Sequence, residues 1–139
     1  MNGTVAPLPV ERPKILLVED EPAVRRSLQL LLHARGYDIR SYASSTAMFA
    51  DPLVNDAICL VTDYRMPEMD GLDVLQSLRA RGWRGPAILV TAYGSPDLVE
   101  RAMKEGFSIV IEKPLREHAL ADAVARLTAP PRASPAPSS

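Results

Sequence analysis

No stretch of this chain is apolar for long enough to span a bilayer, so a membrane-spanning helix and a membrane partner are not expected. Its first residues, Met1-Asn2-Gly3-Thr4, carry neither a basic region nor an apolar core, and a secretory leader is not expected there. There is one cysteine, Cys59, which excludes a disulfide within the chain. It sits in an apolar run and reads as a buried thiol, compatible with a reducing cytoplasm, the expected location. A surplus of positive charge is also missing. The formal net charge is −1, which does not suit a surface built to neutralise the phosphates of a nucleic acid, so direct nucleic-acid contact is not expected. The two histidines, His33 and His118, lack the spacing of a metal-binding pair. No internal repeat is apparent. What remains is a chain of 139 residues, 47% of them apolar, enough for one domain around one core.

The ends differ from the middle. Residues 1–13 carry Pro7, Pro9 and Pro13 without periodicity and read as a flexible arm. Residues 129–139 are rich in Pro, Ala and Ser and read as a disordered tail. Between them, residues 14–128 alternate strand-like and helix-like patterns. The strand-like runs are Lys14–Val18, Tyr37–Tyr42, Ala57–Thr62, Ala87–Val90 and Ser108–Ile111. Helical spacing of apolar residues follows the first run at Val24, Leu28, Leu31 and Leu32, with Pro22 at the start and Gly36 as the stop. Ser44-Ser45-Thr46, Asp70 and Ser95-Pro96-Asp97 are helix starts with capping chemistry. Leu120, Ala123, Val124 and Leu127 line the last helix. Trp83 lies between arginines in a turn and reads as local packing rather than a nucleic-acid stacking platform.

Alternating strands and helices predict an α/β fold, a single doubly wound five-stranded parallel sheet. The first and third runs are the most continuously apolar and belong in the centre, whereas the second alternates and belongs at an edge. Right-handed crossovers then give the order 2-1-3-4-5, a flavodoxin-like arrangement whose switch point lies at the carboxyl ends of strands 1 and 3.

The residues at those ends carry the chemistry. Glu19-Asp20-Glu21 follows the first run, Asp63 the third, Thr91 the fourth and Lys113-Pro114 the fifth. In a parallel sheet all of them meet at one edge. Crowded carboxylates repel unless a cation joins them, and Mg2+ suits an all-oxygen set that keeps several waters. Asp20 and Asp63 would contact it directly, and Glu19 directly or through water. Asp63 can then act as a nucleophile toward phosphorus, giving an acyl phosphate. Lys113 would neutralise a phosphoryl oxygen, and Thr91 could donate its hydroxyl proton to another. The proline after Lys113 allows a cis bond there. Taken singly, each residue has a blander explanation, such as acids capping a helix or a lysine before a turn. The combination is what argues for a site.

The segments Leu16-Leu17-Val18-Glu19-Asp20-Glu21, Val61–Gly71, Val90-Thr91-Ala92 and Ile111-Glu112-Lys113-Pro114 together resemble the receiver domain of bacterial two-component response regulators. The 2-1-3-4-5 order is itself familiar from the chemotaxis receiver, a member of that family. The resemblance implies that Glu19 and Asp20 are the acidic metal pair and that Asp63 is the phosphoacceptor. It further implies that the backbone carbonyl of Arg65 completes the metal shell, that Thr91 is the switch hydroxyl and that Lys113 is the family's invariant lysine. Arg65 and Tyr93 are expected to flank the acyl phosphate. One position departs. Val110 stands three residues before the lysine, where the family usually carries Tyr or Phe, and Tyr93 and Phe107 are the nearby aromatics that could substitute.

The implied function is a single-domain response regulator, phosphorylated on Asp63 by a histidine kinase or phosphotransfer protein. Its output would lie on the face formed by residues 95–127, which could dock a downstream protein. It would catalyse only its own phosphorylation and dephosphorylation. The alternative is the receiver part of a DNA-binding regulator or hybrid kinase. A phosphohydrolase of the haloacid dehalogenase type needs an acid two residues after the nucleophile, where this chain has Arg65. A pseudo-receiver used only for binding does not need so complete a set of acids.

Overall fold

Each apolar run is bounded by turn residues and is too short to make a stable helix, so each can satisfy its backbone only by pairing with a neighbour. The computed structural model describes residues 12–116 and 118–129, and there the runs do pair. The strands are β1 (Lys14–Val18), β2 (Asp38–Tyr42), β3 (Cys59–Asp63), β4 (Ala87–Thr91) and β5 (Ile109–Glu112). The helices are α1 (Pro22–His33), α2 (Ser45–Phe49), α3 (Gly71–Ala80), α4 (Pro96–Lys104) and α5 (Ala119–Thr128). The sheet is parallel throughout, in the order β2-β1-β3-β4-β5. The arm expected over 1–13 and the tail expected over 129–139 lie outside the described residues, apart from Arg12, Pro13 and Ala129.

Successive side chains of a strand point to opposite faces, and the core divides accordingly. Leu16, Val18, Leu60 and Leu89 face one layer with Met48, Leu72, Leu75, Leu78, Leu98 and Ala102, so α2, α3 and α4 cover that side. Ile15, Leu17, Val61, Ile88 and Val90 face the other with Leu28, Leu32, Leu120 and Val124, so α1 and α5 cover it. β3 and β4 are buried along their whole length, as strands covered on both faces must be. The edge strands β2 and β5 are mostly half-buried. Cys59 lies buried in the α1/α5 layer, and burial pushes its thiol up to about 12, leaving it un-ionised.

Local chemistry sets the ends of the helices. Ser44 caps α2 through the Ala47 N–H, Ser95 caps α4 through the Leu98 N–H, and Asp70 and Asp73 form a reciprocal capping box on α3. Gly36 closes the turn after α1 at φ +99°, a conformation that side-chain-bearing residues rarely adopt. Trp83 is a core residue whose indole N–H donates to the Ala57 carbonyl at 2.9 Å. Four strands differ from expectation by one or two residues at their limits, β2 starting at Asp38 rather than Tyr37 and β5 spanning Ile109–Glu112 rather than Ser108–Ile111. β3 begins at Cys59 rather than Ala57, because Val54–Asp56 form a short 3-10 turn whose last bond, Ala57 N–H to the Val54 carbonyl, holds Ala57 out of the ladder. Asp63 and Thr91 are the last residues of their strands rather than the first beyond them, in register with Val90 and Glu112.

Candidate functional site

β1 and β3 lie side by side at the centre of the sheet, so whatever follows Val18 and Thr62 meets at their carboxyl ends. Glu19 leaves β1 with its N–H still donating to the Tyr42 carbonyl, at 3.1 Å. That bond keeps Glu19 at the sheet edge, and its side chain is 1% exposed. Asp63 is also buried. One carboxylate oxygen from each of Glu19, Asp20 and Asp63 falls within a 4.8 Å cluster. Lys113 reaches across from the end of β5. Its Nζ lies 3.1 Å from Glu19 Oε1 and 3.2 Å from Asp63 Oδ2. The Lys113–Pro114 peptide is cis, and the Lys113 N–H donates to the Thr91 carbonyl at 2.8 Å, tying the ends of β4 and β5 together.

The remaining lone pairs are partly engaged. Asp63 Oδ1 accepts from the Tyr64 N–H at 2.8 Å, and Glu19 Oε2 accepts from the Glu21 N–H at 3.2 Å. Burial nevertheless dominates for Glu19. It pushes the carboxyl up to about 6, opposed by the Lys113 hydrogen bond and reinforced by the charge of Asp63. For Lys113, burial pulls the ammonium down, but hydrogen bonds and charge from Glu19 and Asp63 outweigh it and hold the group above the ordinary lysine value. With all three acids ionised, one ammonium leaves two negative charges unmatched in the cluster. A hard divalent cation matches both that charge and the all-oxygen donor set, so the residues present fit Mg2+.

The far side of the crevice is built differently. Thr91 is fully buried, and its Oγ1 accepts from the Tyr93 N–H at 2.9 Å, leaving its own proton free to donate elsewhere. Arg65 stands over the Tyr93 ring, with its guanidinium carbon 4.3 Å from the ring centroid. Asp20, Glu21, Asp63, Arg65, Tyr93 and Lys113 thus line one open cavity of about 270 Å3. Val110 is half-buried on β5, and Phe107 is locked in the core. Of the two aromatics that could substitute at Val110, only Tyr93 lies at the crevice.

Arg25 escapes the reading of the sequence, as does the close approach that Gly71 permits. Arg25 of α1 donates from Nη1 to the Glu19 carbonyl at 2.8 Å, clamping the loop that carries the acids. Its place, six residues beyond Glu19 on a polar helix face, gives no signal of that bond. Gly71 opens α3 directly behind Asp63, where an added Cβ would sit 2.5 Å from the Asp63 carbonyl. The Asp70-Gly71 pair was visible in the sequence, but the close approach was not.

Residues 15–125 match the response regulator receiver domain family. The transcriptional regulatory protein FixJ of Azorhizobium caulinodans is 37% identical over 108 residues, covering 78% of this chain and 51% of that protein. Among solved structures, FixJ-N is similar at a TM-score of 0.74 and 32% identity, covering 86% of this chain and 95% of that one. The receiver domain of a Luxo repressor protein from Vibrio parahaemolyticus is similar at 0.78 and 26% identity, covering 84% and 90%. The chain spans about half the length of the curated relatives it matches.

Proposed function

The chain belongs to the response regulator receiver domain family, and from that membership and the geometry of the crevice we propose that it is a signalling switch thrown by phosphorylation of Asp63. One observation carries the proposal: three carboxylates gather within 4.8 Å while a single lysine bridges the two buried ones. Such a site is short of positive charge until a metal joins it and is matched to a phosphoryl group once one has.

In this reading Asp20 and Asp63 would hold Mg2+ directly, Glu19 directly or through water, and the Arg65 backbone carbonyl would complete the shell. The metal would draw charge from the transferring group and hold donor and acceptor in line. Asp63 supplies the electron pair for the new P–O bond. The bond from phosphorus to the donor breaks, and its electrons leave with an imidazole of a histidine kinase or phosphotransfer protein, or with a carboxylate when the donor is acetyl phosphate. Lys113 turns from the carboxylates to neutralise a phosphoryl oxygen, and Thr91 donates its free hydroxyl proton to another. Because Thr91 and Lys113 sit at the roots of α4 and α5, the face formed by residues 95–127 answers the change and docks a downstream protein.

The test is incubation with Mg2+ and acetyl phosphate, read by intact mass. The protein should gain one phosphoryl group, and Asp63→Asn should gain none. Equal gain by both proteins would refute the assignment. A second reading places this receiver in the service of transcription. It is favoured by the relatives' description as transcriptional regulatory proteins and by the half of their length that this chain spans. Sequencing the complete reading frame for a DNA-binding module tests it.

A further inference from the structure

A second cavity lies between the start of α2 and the loop that follows β3. Ala43, Ser44 and Ser45 form one wall and residues 66–69 the other, around a space of about 130 Å3. Met66 and Met69 also pack against the α2–α3–α4 core layer, so that side of the space is apolar. One exposed bond joins the two walls: Thr46 Oγ1 donates to Glu68 Oε1 at 3.0 Å. No residue of the phosphorylation crevice lines this space.

One polar group in the wall lacks a visible purpose. Ser45 is 5% exposed, yet its hydroxyl has no hydrogen-bond partner among the described residues. It is not needed as a cap, because Ser44 caps α2 by accepting the Ala47 N–H at 3.2 Å. A buried hydroxyl without a partner is destabilising, and protein interiors rarely keep one. Among the described residues, Arg40 Nε is the one side-chain polar atom both sealed from solvent and unpartnered. Ser45 Oγ is therefore not sealed. It opens onto a space, and the space that Ser45 lines is this cavity.

The lining selects what can enter. A volume of about 130 Å3 suits a single six-membered ring, since an apolar cavity of about 150 Å3 takes benzene. No lysine, arginine or histidine lines the space, and its one ionisable group, Glu68, is itself an acid. A carboxylate or phosphate ligand would meet no countercharge there. Thioethers make favourable contacts with aromatic rings. A hydroxyl on such a ring supplies the partner that Ser45 lacks. We propose that this cavity is a binding site for a small uncharged aromatic molecule carrying one hydroxyl, with its ring against Met66 and Met69 and its hydroxyl bonded to Ser45 Oγ. The inference stands apart from the phosphoacceptor reading, because neither Asp63 nor Lys113 takes part in the site. A bound ring bridges α2 and the loop after β3, and it stabilises the folded protein by mass action.

The test uses the whole chain labelled with 13C-methyl methionine at its five methionines. Phenol is titrated in, and fluorobenzene, of nearly the same size but without a hydroxyl, is titrated in parallel. Met66→Leu and Met69→Leu assign the two signals of interest, and Met103, 49% exposed on α4, reports unspecific contact. The expected result is saturable shifts of the Met66 and Met69 methyls at about millimolar phenol, as suits a ligand of so few atoms, with Met103 unmoved. Ser45→Ala removes no bond that the protein makes, so it should fold as the wild type does. It should weaken phenol roughly three- to tenfold, the worth of one hydrogen bond, and leave fluorobenzene unchanged. No saturable shift at Met66 and Met69, or an equal shift at Met103, overturns the site and leaves the cavity to water. Equal loss of both ligands in Ser45→Ala, or loss of neither, overturns the serine anchor and with it the hydroxyl of the ligand.

Discussion

The two sides of the crevice are made of different materials. On the β1–β3 side, Glu19 and Asp63 are buried, bonded to backbone amides and pinned by one lysine at 3.1 and 3.2 Å. Arg25 fixes the loop that carries the acids, and the close approach of Gly71 fixes the carbonyl of Asp63. On the β4–β5 side, the corresponding parts are an exposed tyrosine under an arginine, a half-buried edge strand and a helix whose Val99 and Met103 face water. The first side resists displacement because every move exposes a buried charge. On the second, the exposed Tyr93 ring is held by a contact worth little more than thermal energy. Phosphoryl transfer needs the former, since misplacement of a reacting group by an ångström is costly, and a switch needs the latter, since only a small gap between states can be reversed by one modification.

The contrast breaks most visibly at Lys113. Replacing it with methionine leaves two buried carboxylates without their cation, and the loss of unfolding free energy should be about 3 kcal/mol at pH 8 without metal. Urea denaturation measures it. Added Mg2+ should restore part of the loss by binding only the folded site. A loss within about 0.5 kcal/mol, the range of ordinary surface changes, would show that the ion pairs contribute little and that the two sides do not differ as described.

The acids themselves give the next effect. Glu19 has its carboxyl raised from 4.5 to about 6, so the folded protein holds that proton more tightly than the unfolded chain does. Its favourable contribution is therefore full below about pH 4.5 and is lost as pH rises through about 6. The change should be about 1–2 kcal/mol across that window in the metal-free protein. Mg2+ needs the ionised form, so its affinity should run the other way, weakening as pH falls through the same window. Denaturation curves at several pH values, compared with Glu19→Gln, separate this group from the others. A Glu19→Gln protein with an unchanged pH profile would remove Glu19 as its source.

The same contrast explains what could be read from the chain before its structure. Acids and a lysine at the ends of apolar runs are conspicuous because parallel pairing makes run ends converge, so the meeting of Glu19, Asp20, Asp63 and Lys113 was legible, as were the sheet order and the caps at Ser44, Asp70 and Ser95. These depend on period and position, which a sequence displays. Arg25 acts through a backbone carbonyl, and Gly71 through the absence of an atom near another backbone. Neither leaves a pattern in residue types. The 3-10 turn at Val54–Asp56 has no periodic signal in three residues, so the apolar pattern alone sets the start of β3 two residues early. Tyr93 was visible as an aromatic near Thr91, but its stacking on Arg65 depends on the rotamers of two exposed side chains, the least determined feature of any sequence.

On the softer side the expected effects shrink. Ser95 caps α4 by accepting the Leu98 N–H at 3.1 Å, and Ser95→Ala should cost about 1 kcal/mol. Much of that cost should be felt locally, as faster amide exchange in α4 than in α1 or α3. Uniform acceleration throughout the chain would mean that α4 does not open separately and that the β4–β5 side is as firm as the other.

The smallest effect tests the softness directly. Arg65 and Tyr93 form an exposed cation–π pair, so the coupling between Arg65→Ala and Tyr93→Ala should be about 0.5–1 kcal/mol in a double-mutant cycle on the unphosphorylated protein. Urea unfolding of the wild type, the two single variants and the double variant measures it. A value near that of the Lys113 pairs would make Tyr93 a fixed wall of the crevice. A value of about 0.5–1 kcal/mol, well below the cost expected at Lys113, makes the ring the loosest wall of the crevice, because an exposed ring face competes with water for the guanidinium whereas the buried carboxylates have no such competitor.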